Sequence, residues 1–322
     1  MEYIVPFIKQ LLNYGNFKSS SIPGKYYREL LTEFSKIKSR NIVMIPSLIK
    51  LCKKTEGILI IDDTNNPKYG LKNWTRKMKN LKTSGYESGY KILLFLWQTG
   101  NYRIPIGFAL WYKESPSLND PALQGLGILR NTFKLKPKLV LADGFYSADK
   151  VVKRLTDYGW PLVERWKCNR KLAGKRIKNL IPRGFGDYQG YLQNGCKVKI
   201  FRRRNRFYIT NRMLLSMQDA VRLYKKRWTI EETFKILKSQ IGLNRCQQHS
   251  LKSQEIFIFL CMIAFSYLEK LKDYSVYKTR ETVIFQTVSL DNSILNEVLA
   301  VSRNLGLRFL AKFLVPSSYR YH

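Results

Sequence analysis

The sequence predicts an α/β fold, and three observations carry that reading. A buried apolar strand, Gly57 to Ile61, runs straight into Asp62-Asp63. A second apolar strand, Lys138 to Ala142, ends in Asp143-Gly144. Around them, extended and helical patterns alternate until a basic, β-patterned stretch, 167–214, interrupts the series before a long amphipathic helix.

The elements follow in order. Residues 1–56 read as short helices: Leu30, Leu31, Phe34 and Ile37 repeat at helical spacing, and Pro23-Gly24 and Pro46 punctuate the run. Residues 65–89 are polar and Lys-rich and read as a loop. Tyr90 to Gln98 and Arg103 to Trp111 are apolar strands around Thr99-Gly100-Asn101, a hairpin signal. Asn119-Asp120-Pro121 opens a helix to about Thr132. After the strand at 138–142, Ser147 starts a helix to about Tyr158, and Trp160 to Arg165 is a fifth strand. Within 167–214, Val198-Lys199-Ile200 and Phe207-Tyr208-Ile209 flank Arg202, Arg203 and Arg204 as a basic hairpin. Ser216-x-x-Asp219 caps the long helix. From about Ser250 the chain reads as mostly helical.

The formal net charge is +34 over 322 residues, with 45% hydrophobic and 13% aromatic residues. An excess of that size opposes compaction unless a polyanion neutralises it. The apolar content calls for a folded core and excludes a basic disordered tail. MEYIVPFIKQ lacks a signal-peptide pattern, and the apolar run Ile256 to Leu268 is too short to span a bilayer. A cytoplasmic chain with no membrane association is expected. The five cysteines show no CxxC pairing, and Cys246 with His249 makes only half a zinc site. Two histidines leave a histidine-based catalytic or metal site without material. Any metal falls to carboxylates, which favour a hard cation such as Mg²⁺.

The long helix is the most informative segment. At about 100° per residue, Tyr224, Arg227, Glu231 and Lys238 fall at roughly 0°, 300°, 340° and 320°, one narrow face. Ile230, Phe234, Leu237 and Ile241 form the neighbouring apolar stripe. Glu232 faces away. A lone acid flanked by an Arg, a Lys and a phenol suits metal-assisted chemistry on a polyanion. If the strands ending at Asp62 and Asp143 are neighbours, both carboxylates meet at one sheet edge, and the helix can lay Glu231 beside them. Strand-end turns also favour Asp in their own right.

These residues resemble the DDE transposases of bacterial insertion sequences, in the large family numbered four. Its signature, Y-(2)-R-(3)-E-(6)-K, is matched without a gap by Tyr224, Arg227, Glu231 and Lys238. Ile61-Asp62-Asp63-Thr64 resembles the first-aspartate block, and Leu141-Ala142-Asp143-Gly144-x-Tyr146 the second. The resemblance implies an RNase H-like catalytic core in two parts, 57–166 and 215–249, with 167–214 as a β-rich insertion. Helical regions 1–56 and 250–322 flank it, the first a candidate DNA-binding region. It implies Asp62, Asp143 and Glu231 as catalytic metal ligands, holding two Mg²⁺ ions with Mn²⁺ as an alternative. Asp62 is preferred over the adjacent Asp63. It implies Tyr224, Arg227 and Lys238 as contacts to the phosphates of the transposon end.

Arg165, Lys167, Asn169 and Arg170 follow the fifth strand near this site and are candidate phosphate contacts. Arg202, Arg203, Arg204 and Arg206 at the hairpin tip are candidate DNA contacts or solvated turn residues. Trp166, Tyr188 and Trp228 can stack on an unpaired base or pack in the core. The expected activity is metal-dependent cleavage at transposon ends and strand transfer into target DNA by a homodimer bound to both. The alternatives are an RNase H-like nuclease without strand transfer, and an inactive, domesticated DNA-binding relative.

Overall fold

A computed structural model describes residues 42–68, 70, 73–80, 83–144, 149–182, 184–246 and 250–271. Among these, ten strands form one mixed sheet in the order β1-β5-β4-β2-β6-β7-β12-β11-β10, with β3 added to β4. The strands are β1 (Ile42–Met44), β2 (Ile58–Pro67), β3 (Arg76–Lys79), β4 (Tyr86–Thr99), β5 (Tyr102–Trp111), β6 (Leu139–Ala142), β7 (Leu162–Trp166), β10 (Phe185–Tyr191), β11 (Lys197–Arg203) and β12 (Arg206–Thr210). Two short strands, β8 (Lys171–Leu172) and β9 (Lys175–Arg176), pair separately.

The hairpin at Gly100-Asn101 is a two-residue turn, with Gly100 at φ +53° as its geometry requires. β2 and β5 each pair antiparallel with β4, whereas β2, β6 and β7 run parallel. The parallel strands are covered on both faces, so β6 reads Leu-Val-Leu-Ala with every residue buried. One covering layer holds α2 (Asn119–Asn131) and α3 (Asp149–Asp157). Gly125 of α2 meets the sheet so closely that a Cβ there would fall 2.2 Å from the Phe95 ring. The other face carries α5 (Met217–Lys225), α6 (Trp228–Ile236), a π-helical turn (Leu237–Ile241) and α7 (Leu251–Leu271). Helix α1 (Pro46–Lys53) packs near β5, and α4 (Ile177–Leu180) is a single turn.

Several expectations need correction. The stretch 65–89 is not a loop. β2 continues to Pro67, β3 forms, and β4 begins at Tyr86, because Asn65, Asn66 and Pro67 stay in register with Lys91, Tyr90 and Gly89. Ile42–Met44 is a strand rather than helix, paired with β5. Leu30, Leu31, Phe34 and Ile37, Ser147 and His249 lie outside the described residues. The basic stretch continues the main sheet, since β12 pairs with β7. The apolar run near residue 260 is longer than read: Leu251–Lys270 meets the length and hydropathy of a membrane span, but 82% of that window is buried inside the fold. It is the core helix of this face.

Candidate active site

The acids are placed by strand register. Ile61 of β2 lies beside Ala142 of β6, and Ala142 beside Glu164 of β7. One residue further on, Asp62, within β2, and Asp143, just past the end of β6, lie at the same level. Arg165 follows on β7, paired with Tyr208 of β12. Side chains alternate along a strand, so this row faces α5 and α6, while Ile61, Ala142, Glu164 and Ile209 face the other layer. The turn after Asp143 needs Gly144, where a Cβ would sit 2.4 Å from the Arg165 carbonyl oxygen.

The long helix is not continuous. Ser216 caps it as expected, its hydroxyl accepting from the Asp219 amide at 3.1 Å. At Lys226 and Arg227 the ladder tightens to i−3 bonds, with the Arg227 amide donating to Tyr224 and the Ile230 amide to Arg227. Past Ile236 it loosens into the π-helical turn, ended by Gly242 at φ +82°. These changes of pitch rotate the signature residues onto separate targets. Tyr224 donates to Asp143 Oδ1 at 3.3 Å. The Arg227 guanidinium lies between two acids and donates to both Asp62 Oδ2 and Glu231 Oε1. Lys238 Nζ donates to Thr64 Oγ1 at 2.6 Å and to the Asn65 carbonyl at 2.8 Å. All four signature residues therefore gather over the middle of β2 and the end of β6. Lys238 bonds protein here, clamping the signature helix to the strand that carries Asp62.

Burial raises the Asp62 carboxyl to about 7; Arg227 pulls it down, and Asp63 and Asp143 push it up. Burial also raises the Tyr224 phenol, so it stays a donor toward Asp143. Asp63 faces the opposite side of β2 and pairs with Lys91 at 2.7 Å. Glu232 is exposed beside Arg103, whose guanidinium is held by the buried Glu269 at 3.0 Å.

Trp228 is 60% exposed at the start of α6 and Tyr188 is 36% exposed on β10, whereas Trp166 is core. Arg165, Lys167 and Asn169 are exposed. Arg170 lies over the Trp166 ring and beside Asp149 at 3.5 Å. Arg203, Arg204 and Arg206 are at least partly exposed at the β11–β12 turn. Arg202 is committed elsewhere: it donates to the Ile181 and Pro182 carbonyls and lies over Phe207, so it braces the hairpin. Cys246 is buried, its carbonyl accepting from Lys68 Nζ at 2.7 Å.

Sequence reading missed two features. Glu164 is fully buried with neither carboxylate oxygen hydrogen-bonded. Burial lifts it to about 8, Arg170 pulling it down and Asp143 pushing it up. Its one signal was an acid on the inward side of Leu-Val-Glu-Arg-Trp. The second is a buried chain in which Asn66 donates to Tyr90 at 2.7 Å and Tyr90 to Gln254 at 2.8 Å. It ties β2 to α7, and nothing local in the sequence announces it.

A family model of the transposase DDE domain matches residues 53–267, more than half of the chain. The chain belongs to the DDE transposase domain family. The match runs from the end of α1, through β2 and the acids, to α7, so the DDE domain includes the strands β10 to β12. Among solved structures, the chain is similar to the piggyBac transposase synaptic complex with hairpin DNA, at 13% identity and a TM-score of 0.49. That match covers 84% of this chain and 61% of the other, so this chain spans about three fifths of that protein's length. It is also similar to the catalytic domain of human endonuclease V, at 14% identity and a TM-score of 0.28, covering 75% of this chain and 96% of the other. No match was found among curated proteins.

Among the described residues of this DDE domain, no three His, Cys, Asp or Glu side chains form a ready-made metal cage. Asp62 and Glu231 meet through Arg227 instead. The donor set is nonetheless all carboxylate oxygen, which fits a hard divalent cation.

Proposed function

We propose that this chain is a transposase that cuts phosphodiester bonds at the ends of its element and joins the freed 3′-hydroxyl to target DNA. The core is read as RNase H-like: an antiparallel hairpin sheet, crossovers to parallel strands, one acid within β2, a second just past the end of β6, and a third on a later helix. One observation carries the reading most directly. The signature helix brings Glu231 to Asp62 through Arg227, while Tyr224 bonds Asp143, so all three acids and the helix's phosphate-suited groups gather over the adjacent central strands β2 and β6.

Asp62, Asp143 and Glu231 would hold the divalent cations, Mg²⁺ or Mn²⁺. Bound there, such ions would supply activation of the attacking oxygen and stabilisation of the leaving one. The protein's own groups do the rest. Arg227 supplies the positive charge that lets Asp62 and Glu231 share a site, and its fork also suits a pair of phosphate oxygens. Tyr224 fixes the Asp143 carboxylate. Arg165, on the same row of the sheet, together with Lys167 and Asn169, presents exposed donors to the backbone of the held end. Lys238 holds helix to strand. Water is the nucleophile in cleavage and the 3′-hydroxyl in joining. A homodimer on two ends, working on nucleoid DNA in a bacterial cytoplasm, completes the reading.

The test uses a plasmid carrying the gene with its native flanks, incubated with the protein and Mg²⁺ or Mn²⁺, with the products sequenced. The expected result is breaks at inverted repeats and new end-to-target junctions, both lost in Asp62→Asn, Asp143→Asn and Glu231→Gln. Breaks without junctions would favour a nuclease. DNA binding without breaks would favour an inactive relative.

A further inference from the structure

The face of the sheet that carries Asp62 does not end at the site. Along β2 it continues through Thr64 and Asn66, and Asn66 pairs with Tyr90 of β4. Tyr90, Ser88 and Tyr86 alternate onto that same face, and β3 places Lys77 opposite Ser88 and Lys79 opposite Tyr86. Tyr86 is 68% exposed, Lys77 and Lys79 are exposed, and Lys77 Nζ lies 4.7 Å from the centre of the Tyr86 ring. The far end of the catalytic face is therefore a basic and aromatic patch.

This hairpin is braced from behind. The single acid between Tyr69 and Lys91 is Glu87, and it points to the other face. There it accepts from Asn65 at 2.9 Å and from Asn80 at 3.0 Å. Asn65 also donates to the Lys79 carbonyl at 3.0 Å, and the Asn80 amide closes the turn onto Gly85 at 2.9 Å. At the base, Arg76 lies 3.7 Å from the Trp111 ring centre and donates to the Ser115 carbonyl at 3.1 Å. The carboxylate that could repel a polyanion is thus used to hold the lysines outward on the other side.

Position separates this patch from Tyr224 and Arg165, two of the groups expected near the transposon end. Tyr224 and Arg165 stand over β6, β7 and β12, and the Tyr224 ring lies 5.3 Å from that of Tyr208. The hairpin lies beyond β2 on the opposite side of the acids. Two duplexes that react at one site repel each other and must approach it from different sides. Tyr86 is eight residues along β4 from Leu94, the partner of Asp62. At about 3.4 Å per residue this is roughly 27 Å, or about eight base pairs of duplex.

We infer that the β3–β4 hairpin is a target-DNA grip, in which Lys77, Lys79 and Tyr86 contact the target backbone about eight base pairs from the joining point. This rests on the transposase reading and extends it. The grip reads no sequence, because lysines on phosphates position DNA without specifying it.

The experiment compares wild type with the Lys77→Ala/Lys79→Ala double variant and with Lys77→Arg/Lys79→Arg, all confirmed folded by their melting temperatures. Joining of a pre-cleaved end to a target plasmid, cleavage of an uncut end, and the salt dependence of binding to a plain duplex are measured. The alanine pair is expected to join at least about tenfold more slowly, cleave within about twofold of wild type, and show a duplex salt slope flatter by about two. The arginine pair should restore joining. Unchanged joining and salt slope in the alanine pair would overturn the grip. Lost cleavage with normal joining would overturn it too, by placing the hairpin on the transposon end. Wild-type protein that neither cleaves nor joins would defeat the transposase reading, while the salt slope would still report whether the hairpin holds duplex DNA.

Discussion

Glu164→Gln should stabilise this protein strongly at alkaline pH and hardly at all under acid conditions. The carboxyl is fully buried, with Ala142 and Ile209 as cross-strand neighbours, and neither oxygen has a hydrogen-bond partner. Burial raises it from 4.5 to about 8, against the pull of Arg170. Below pH 4.5 both folded and unfolded chains carry the proton, and the group has no effect on folding. Between 4.5 and about 8 the unfolded chain releases its proton and the folded chain keeps it, so the unfolded state gains and stability falls as pH rises. At about 1.4 kcal/mol per pH unit, the loss between pH 5 and pH 8 is roughly 3–4 kcal/mol. Glutamine has nearly the shape of the neutral acid and does not titrate, so the variant should escape that loss. Urea unfolding followed by circular dichroism at pH 5 and pH 8 reads it out: the gap between variant and wild type should widen by about 3 kcal/mol, and the melting temperature gain by several degrees. Glu164 faces away from the acid row, so metal-dependent cleavage should persist. An equal effect at both pH values would refute the reasoning and show that Glu164 is ionised and paired in solution.

Three further outcomes follow from the site. Asp62→Asn should abolish cleavage, while Asp63→Asn should retain it and lose only the partly buried pair with Lys91, about 1 kcal/mol by thermal unfolding; inactivity of Asp63→Asn with an active Asp62→Asn would exchange their roles. Lys238→Met should cost roughly 2 kcal/mol and lower the rate of cleavage with little change in end-DNA salt slope, because its bonds to Thr64 and Asn65 hold helix to strand; a slope flatter by about one would show a phosphate contact instead. Arg227→Ala leaves Asp62 and Glu231 without their shared counter-charge, so added Mg²⁺ should raise its melting temperature more than that of wild type. Equal shifts in both proteins would show that cations do not take the place of that charge.

Local chemistry determined much of this protein by sequence alone. The strands that reach Asp62 and Asp143 are legible because a run of buried apolar residues has few alternatives, although β2 continues past Asp62. The hairpin at Gly100 and the Ser216 cap are legible because a turn and a cap need particular residues at adjacent positions. The four signature residues could be grouped on one helical face because helix geometry is periodic. Other features depend on partners far along the chain, and periodicity cannot see them. The segment 65–89 looks like a loop because its polar residues bond to one another across strands: Asn65 and Asn80 find Glu87 only once β2, β3 and β4 are assembled. The resemblance favours Asp62 over Asp63, but only strand pairing turns one to Arg227 and the other to Lys91. Lys238 stands on the face of Glu231 in sequence, and only the packing of the helix on β2 brings its ammonium to Thr64 and Asn65. Glu164 sits in a strand like any charged residue, and only its place between Ala142 of β6 and Ile209 of β12 in the assembled fold takes its carboxyl out of water. Each of these rests on a nonlocal contact, in which the burial or hydrogen bond that fixes a side chain's role is supplied by residues tens of positions away.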